Sequence, residues 1–149
     1  MQWVTRRGGS GGSVMVWAAL SWNHLSSIEM VDGTMTGAKY ATILRDVAIP
    51  FGLASVGPGF LLQDDNATPH RCVIVQQIHN AQLQYVHMDW PANSPDLNPI
   101  EHLWDELGRR LAKRNIQNLA ALAPAIAEEW AAIPQQPGAP CHSLDAQSL

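Results

Sequence analysis

Apolar and polar positions follow changing periods along the chain, and each change marks an expected element. Residues 14–20 are apolar and rich in β-branched side chains, and residues 26–31 form a second short apolar run. Asn23 and His24 between them supply turn chemistry, so the pattern predicts a hairpin closed by Asp32 and Gly33. From Thr36, a good N-cap, Tyr40, Ile43, Leu44 and Val47 recur at helical spacing, and Pro50 is read as the stop. Phe60, Leu61 and Leu62 carry a buried-strand signal that ends in the polar run Gln63, Asp64, Asp65, Asn66. Thr68 and Pro69 read as N-cap and first helical position of a helix through about His79. Residues 85–88 predict another short strand.

Residues 90–99 hold three prolines and predict a stiff, irregular loop. It delivers the chain to a helix in which Ile100, Leu103, Trp104, Leu107 and Leu111 make one apolar stripe, followed by a helix over about 119–130 that tolerates Pro124. The expected order is strand, strand, helix, strand, helix, strand, helix, helix, a mixed α/β layout with an antiparallel hairpin and parallel later strands. Residues 1–133 are read as one domain, and residues 134–149 as a loose tail.

Composition changes this picture little. A chain of 149 residues with 46% hydrophobic content is long enough to bury one core. No apolar run is long enough for a membrane span or a secretory signal, so a soluble intracellular product without a membrane partner is expected. Cys72 and Cys141 are the only cysteines, and their spacing supports neither a disulfide framework nor a thiolate zinc site. Residues 8–13 are a flexible Gly/Ser segment. A net charge of −4 argues against binding nucleic acid by bulk electrostatics. Arg109, Arg110, Lys113 and Arg114 nevertheless cluster within six positions, as a local basic patch or as a solvated helix face.

The candidate chemistry lies in carboxylates. In open α/β sheets functional groups collect beyond the carboxyl ends of strands, where Asp64 and Asp65 stand, and adjacent residues point to opposite faces, so only one readily serves a shared site. Glu101, in the first turn of the helix after the proline-rich loop, is the natural partner, with Asp105 one turn on. Two such carboxylates suit a hard divalent ion, because Mg²⁺ takes oxygen ligands and keeps several waters. The plainer readings stand beside this one. Asn98, Pro99 and Glu101 also spell an N-cap, a first-turn proline and a capping-box glutamate, and residues 64–66 a simple turn. His70 is as well explained as a surface residue as a ligand, and Trp17, Trp104 and Trp130 read as core.

Residues 63–70 (QDDNATPH) and 90–104 (WPANSPDLNPIEHLW) together resemble the catalytic domain of mariner-superfamily (Tc/mariner-type) DNA transposases. Residues 12–17, 31–35 and 39–40 are similar to that family's second and third strand region, so the resemblance covers most of residues 3–133. It implies a ribonuclease-H-like fold, a mixed sheet flanked by helices, and a DDE endonuclease that binds Mg²⁺ or Mn²⁺ through two Asp and a final Asp or Glu. The second Asp precedes the Asn of the family's DN motif, which selects Asp65 over Asp64. The third acidic residue follows the Asn-Pro-Ile run and is Glu101. The 35 residues between them are one more than the commonest spacing of the Glu-bearing branch.

The same resemblance implies cut-and-paste transposition: water cleaves the transposon ends, and the freed 3′-hydroxyl attacks target DNA. It implies DNA as partner, a homodimer in the full-length family, a nuclear location, and phosphate contacts from Arg109, Arg110, Lys113 and Arg114. It also places the first catalytic Asp on a strand upstream of residue 8. The chain is therefore expected to be amino-terminally truncated, to lack that central strand, and to leave the hairpin and the later strands without a backbone link. A catalytically inactive remnant or a domesticated DNA- or partner-binding protein is the alternative reading.

Overall fold

The structure, a computed structural model, describes residues 2–5 (main chain only), 13–22, 24–65, 67–81, 83–88 and 98–134. Among the described residues there are five strands and five α-helices. The strands are β1 (Gln2–Thr5), β2 (Ser13–Trp17), β3 (Glu29–Val31), β4 (Phe60–Gln63) and β5 (Tyr85–Met88). The helices are α1 (Gly37–Ile43), α2 (Ile49–Ser55), α3 (Val73–Ala81), α4 (Ile100–Ala112) and α5 (Leu119–Ala131). β1, β2 and β3 pair antiparallel in that order, whereas β4 and β5 form a parallel pair, Phe60 opposite Tyr85 and Gln63 opposite Met88.

The expected hairpin is the pair β2–β3, extended by an isolated bridge between Leu20 and Leu25. β1 corrects one expectation. A strand does precede residue 8, Gln2–Thr5, which pairs with β2 on the side away from β3 with Thr5 opposite Ser13, but it carries no Asp. Among the described residues no backbone pairing joins the three-stranded sheet to the parallel pair, as expected.

β2 reads as an unbroken apolar run because both of its faces are covered, the condition under which strands lose their polar alternation. Met15 and Trp17 point into a core with Val31, Tyr40, Leu44, Phe60, Val75 and Tyr85, contributed by α1, α3 and the parallel pair. Val16 and Ala18 point the other way, into a core built on Trp104, Leu107, Leu122, Ile126 and Trp130 of α4 and α5. Trp104 and Trp130 stack with ring centroids 5.1 Å apart, and Trp130 Nε1 donates to the carbonyl of Ser26 at 2.9 Å, fixing α5 to the segment ahead of β3. Trp17, Trp104 and Trp130 are thus core residues, as the sequence suggested.

Two boundaries differ from expectation. Thr36 caps α1 through its hydroxyl, which accepts from the Lys39 amide. Pro50 does not end the helix. A π-helical turn at Leu44–Ala48 joins α1 to α2, and Pro50 falls in the first turn of α2. A proline in a continuous α-helix would clash with the carbonyl four residues back; the wider turn relieves that conflict, and the first turn needs no amide donor. After β4, Thr68–Arg71 is a 3-10 turn capped by Ala67, and the α-helix begins only at Val73. The proline-rich loop and the tail lie outside the described residues, apart from residues 98–99 of the loop and residue 134.

Candidate metal centre

β4 ends at Gln63 and hands the chain to Asp64 and Asp65, whose side chains diverge as adjacent positions of an extended segment must. Asp64 turns inward and is 10% exposed. Its Oδ2 accepts the Tyr40 hydroxyl at 2.9 Å, and its Oδ1 lies 3.3 Å from His87 Nε2 on β5. Burial and the neighbouring Asp64 carboxylate together push the Tyr40 hydroxyl well above the ordinary tyrosine range.

Asp65 turns outward and is 42% exposed. His70, on the 3-10 turn, places Nδ1 2.6 Å from the Asp65 carbonyl and 2.8 Å from its Oδ1. Both are acceptors, so Nδ1 carries the proton. The Ala67 amide donates to the same carbonyl at 2.8 Å and to Oδ1 at 3.2 Å, an Asx-type turn that orients the carboxylate. The bond from His70 holds the Asp65 carboxyl below the usual aspartate range, outweighing partial burial. Asp65 Oδ2 has no hydrogen-bond partner among the described residues.

His70 is not the surface residue that the sequence allowed. It is buried and stacked on Tyr40 with ring centroids 3.9 Å apart. The sequence signal for its role was its place five residues after Asp65, across a turn with proline at its second position.

A cleft of about 730 Å³ runs between the end of β2, α2 and β4. Asp64, Asp65 and His70 line it from the β4 side, and Asn98, Pro99 and Ile100, the entry to α4, line it as well. Glu101 takes the next position, half-buried in the first turn of α4. Its amide bonds to the Asn98 carbonyl at 3.1 Å, and Asn98 Oδ1 accepts weakly from Ile100 at 3.4 Å. Among the described residues the Glu101 carboxylate has no partner, so the reciprocal bond of a capping box is not made. Asp105 is exposed.

Three of the four basic residues are tied to acidic neighbours. Arg109 and Arg110 pair with Glu106 at 3.0 and 2.7 Å, and Arg114 pairs with Glu128 at 2.8 Å and Glu129 at 3.5 Å. Arg110 also reaches Glu129 at 3.8 Å, so the network bridges α4 and α5. Lys113 is exposed and makes no ion pair within 4.0 Å among the described residues.

Sequence reasoning missed a third group. His79 on α3 and His87 on β5 stack at 3.9 Å beside Asp64. The His79 imidazole is 3% exposed, and its Nε2, 4.0 Å from Asp64 Oδ2, has no hydrogen-bond partner among the described residues. Burial first, then the neighbouring His87, pushes its pKa down to about 4. No short motif joins positions 64, 79 and 87; only the packing of α3 on the parallel pair does.

Residues 3–123 match the family model described as DDE superfamily endonuclease. The chain is 39% identical over 125 residues to the Transposable element Tc1 transposase of Caenorhabditis elegans, covering 83% of this chain and 45% of that protein. It is 32% identical over 148 residues to the Tcb1 transposase of Caenorhabditis briggsae, covering 90% and 54%. It thus spans about half the length of these curated relatives. Among solved structures, the Mos1 transposase catalytic domain with Raltegravir and Mg superposes with a TM-score of 0.67 at 20% identity, over 90% of this chain and 69% of that one. The Mos1 paired-end complex superposes with a TM-score of 0.69 at 21% identity, over 89% and 40%. The fold is accordingly the ribonuclease-H-like one of that catalytic domain.

Proposed function

The chain belongs to the DDE superfamily endonucleases, and on that premise we propose that it is catalytic-domain sequence of a cut-and-paste DNA transposase, with Asp65 and Glu101 as metal-binding carboxylates. The observation that carries this reading is the cleft. Asp65 opens onto it from the end of β4, the entry to α4 lines it, and Glu101 follows directly, its carboxylate without a partner among the described residues.

The residues fit a hard divalent ion. Asp65 offers an unengaged Oδ2, is held ionised by His70, and is oriented by the Ala67 amide. Glu101 supplies a second oxygen donor, and hard ions of this size accept a few carboxylates with water completing the shell. Mg²⁺ or Mn²⁺ held there would act as a Lewis acid, stabilising charge on the attacking and departing oxygens of a phosphodiester. In cleavage a water oxygen forms the new bond to phosphorus, the bond to the 3′-oxygen breaks, and a 3′-hydroxyl is freed. DNA is the proposed substrate, both transposon end and target, and a protein acting on chromosomal DNA would work in the nucleus. Relatives solved as a paired-end complex and a strand transfer complex support this reading, and assembly as a homodimer belongs to the same proposal.

The test is nicking of double-stranded DNA bearing the cognate terminal repeats, with Mg²⁺ or Mn²⁺ supplied. Asp65→Asn and Glu101→Gln should each reduce nicking to background while leaving the circular dichroism spectrum unchanged. Absence of metal-dependent nicking, both by this chain and by a longer protein carrying it, would sink the proposal.

A further inference from the structure

Beside the proposed Mg²⁺ carboxylates lies a ligand set of a different chemical kind. Asp64, His79 and His87 each offer one atom, and these atoms all lie within 4.8 Å of one another. They come from three elements: the residue after β4, α3 and β5. We propose that Asp64, His79 and His87 form a separate binding site for a borderline-soft divalent ion of the zinc class, which clips α3 to the parallel strand pair.

Donor chemistry and geometry carry the assignment. Two imidazole nitrogens and one carboxylate oxygen suit Zn²⁺ or Co²⁺ and are a poor match for Mg²⁺, which selects oxygen. Tetrahedral zinc with ligands at about 2.0–2.1 Å sets neighbouring donor atoms about 3.3 Å apart. The Asp64 Oδ1 to His87 Nε2 separation is 3.3 Å and His79 Nε2 stands 4.0 Å from Asp64 Oδ2, but the two rings lie stacked at 15°, so binding one ion requires an imidazole to rotate out of the stack.

Among the described residues His79 Nε2 is a buried nitrogen with no hydrogen-bond partner, 4.0 Å from this carboxylate. An unpaired buried polar atom calls for an explanation such as a missing water or ion. The supporting contacts are those a metal site uses. His79 Nδ1 lies 2.8 Å from the Tyr85 hydroxyl, so an Nδ1–H donated to that oxygen leaves the Nε2 lone pair for the metal. The Tyr40 hydroxyl donates to Asp64 Oδ2 and steadies the carboxylate. Asp64 also lines the cleft, which gives the ion an entry path. Water would take the fourth position.

This site is distinct from the one proposed at Asp65 and Glu101, and the experiment separates the two. The 149-residue chain, stripped with a chelator, is titrated with Co²⁺ followed by visible absorption, and with Zn²⁺ by calorimetry. One equivalent of Co²⁺ should give an intense tetrahedral band that Zn²⁺ displaces, and Zn²⁺ should raise the thermal midpoint. His87→Gln, at a position only partly buried and therefore tolerant, should lose the band while keeping its circular dichroism. Tyr85→Phe should weaken Zn²⁺ binding by about tenfold through loss of the bond to His79. Asp65→Asn should leave Zn²⁺ affinity unchanged. Equal Zn²⁺ and Co²⁺ binding by wild type and His87→Gln, or no binding by wild type, overturns the proposal. Loss of Zn²⁺ binding in Asp65→Asn does so too, because the ion would then sit at the other carboxylates.

Discussion

At the scale of single residues, Asp64 and Asp65 show how one peptide step separates two chemistries. Asp65 faces the cleft with one oxygen unengaged, and Asp64 is drawn into a buried set of Tyr40, His79 and His87. His79 makes the acid behaviour of the fold testable. In metal-free protein its pKa falls from the ordinary 6.5 to about 4. Burial and the neighbouring His87 and His70 push it down, and Asp64 opposes them. Between those two pH values the unfolded chain binds more protons than the folded one, so stability falls as pH drops from about 6.5 towards 4; above 6.5 this group is neutral in both states and has no effect. Urea midpoints measured with chelator at pH 7.5 and 5 should show this loss, and His79→Gln should flatten it. A slope unaltered by that substitution would count against the burial argument.

At the scale of elements, the fit of α2 on β4 depends on one missing side chain. A Cβ at Gly52 would come within 2.3–2.7 Å of the Phe60 ring. That ring is buried and stacked on Tyr85 with centroids 5.4 Å apart, so it has little room to retreat. Gly52→Ala is therefore expected to cost about 1–3 kcal/mol by overpacking, read as a lower denaturation midpoint, despite the better helix propensity of alanine. The α4–α5 face carries another consequence. Arg109, Arg110 and Arg114 are engaged by Glu106, Glu128 and Glu129, so Lys113 is the cation best placed for phosphate. On the proposed transposase reading, Lys113→Gln should weaken DNA binding at all sequences and reduce the salt slope by about one, whereas Arg110→Gln should chiefly loosen the helix pair. Unchanged affinity and salt slope in Lys113→Gln would remove Lys113 from the proposed DNA interface.

At the scale of the whole molecule, β2 couples two cores. Met15 and Trp17 serve the side of α1 and α3, and Val16, wholly buried, serves the side of α4 and α5. Neither core can open without exposing this strand, so unfolding should be cooperative although no backbone pairing joins the two sheets among the described residues. Hydrogen exchange in α1 and α4 should collapse at the same urea concentration, and Val16→Ala should lower both together. Separate transitions would show two independent units instead.

The sequence by itself determined most of the elements and nominated the two carboxylates. Hydrophobic period and capping chemistry are local, and Thr36, the apolar run of β2 and the stripe of α4 carry them within a few residues. The resemblance of residues 63–70 and 90–104 to a transposase catalytic domain singled out Asp65 and Glu101 where spacing left a capping box open. Tertiary structure alone decided the rest. It passed the helix through Pro50 on a π-helical turn, buried His70 against Asp65, and tied Arg110 and Arg114 to glutamates of another helix. It also brought His79 and His87 to Asp64. Those outcomes depend on contacts between residues distant in the chain, and no local period records which side chains meet once α3 packs on the parallel strands.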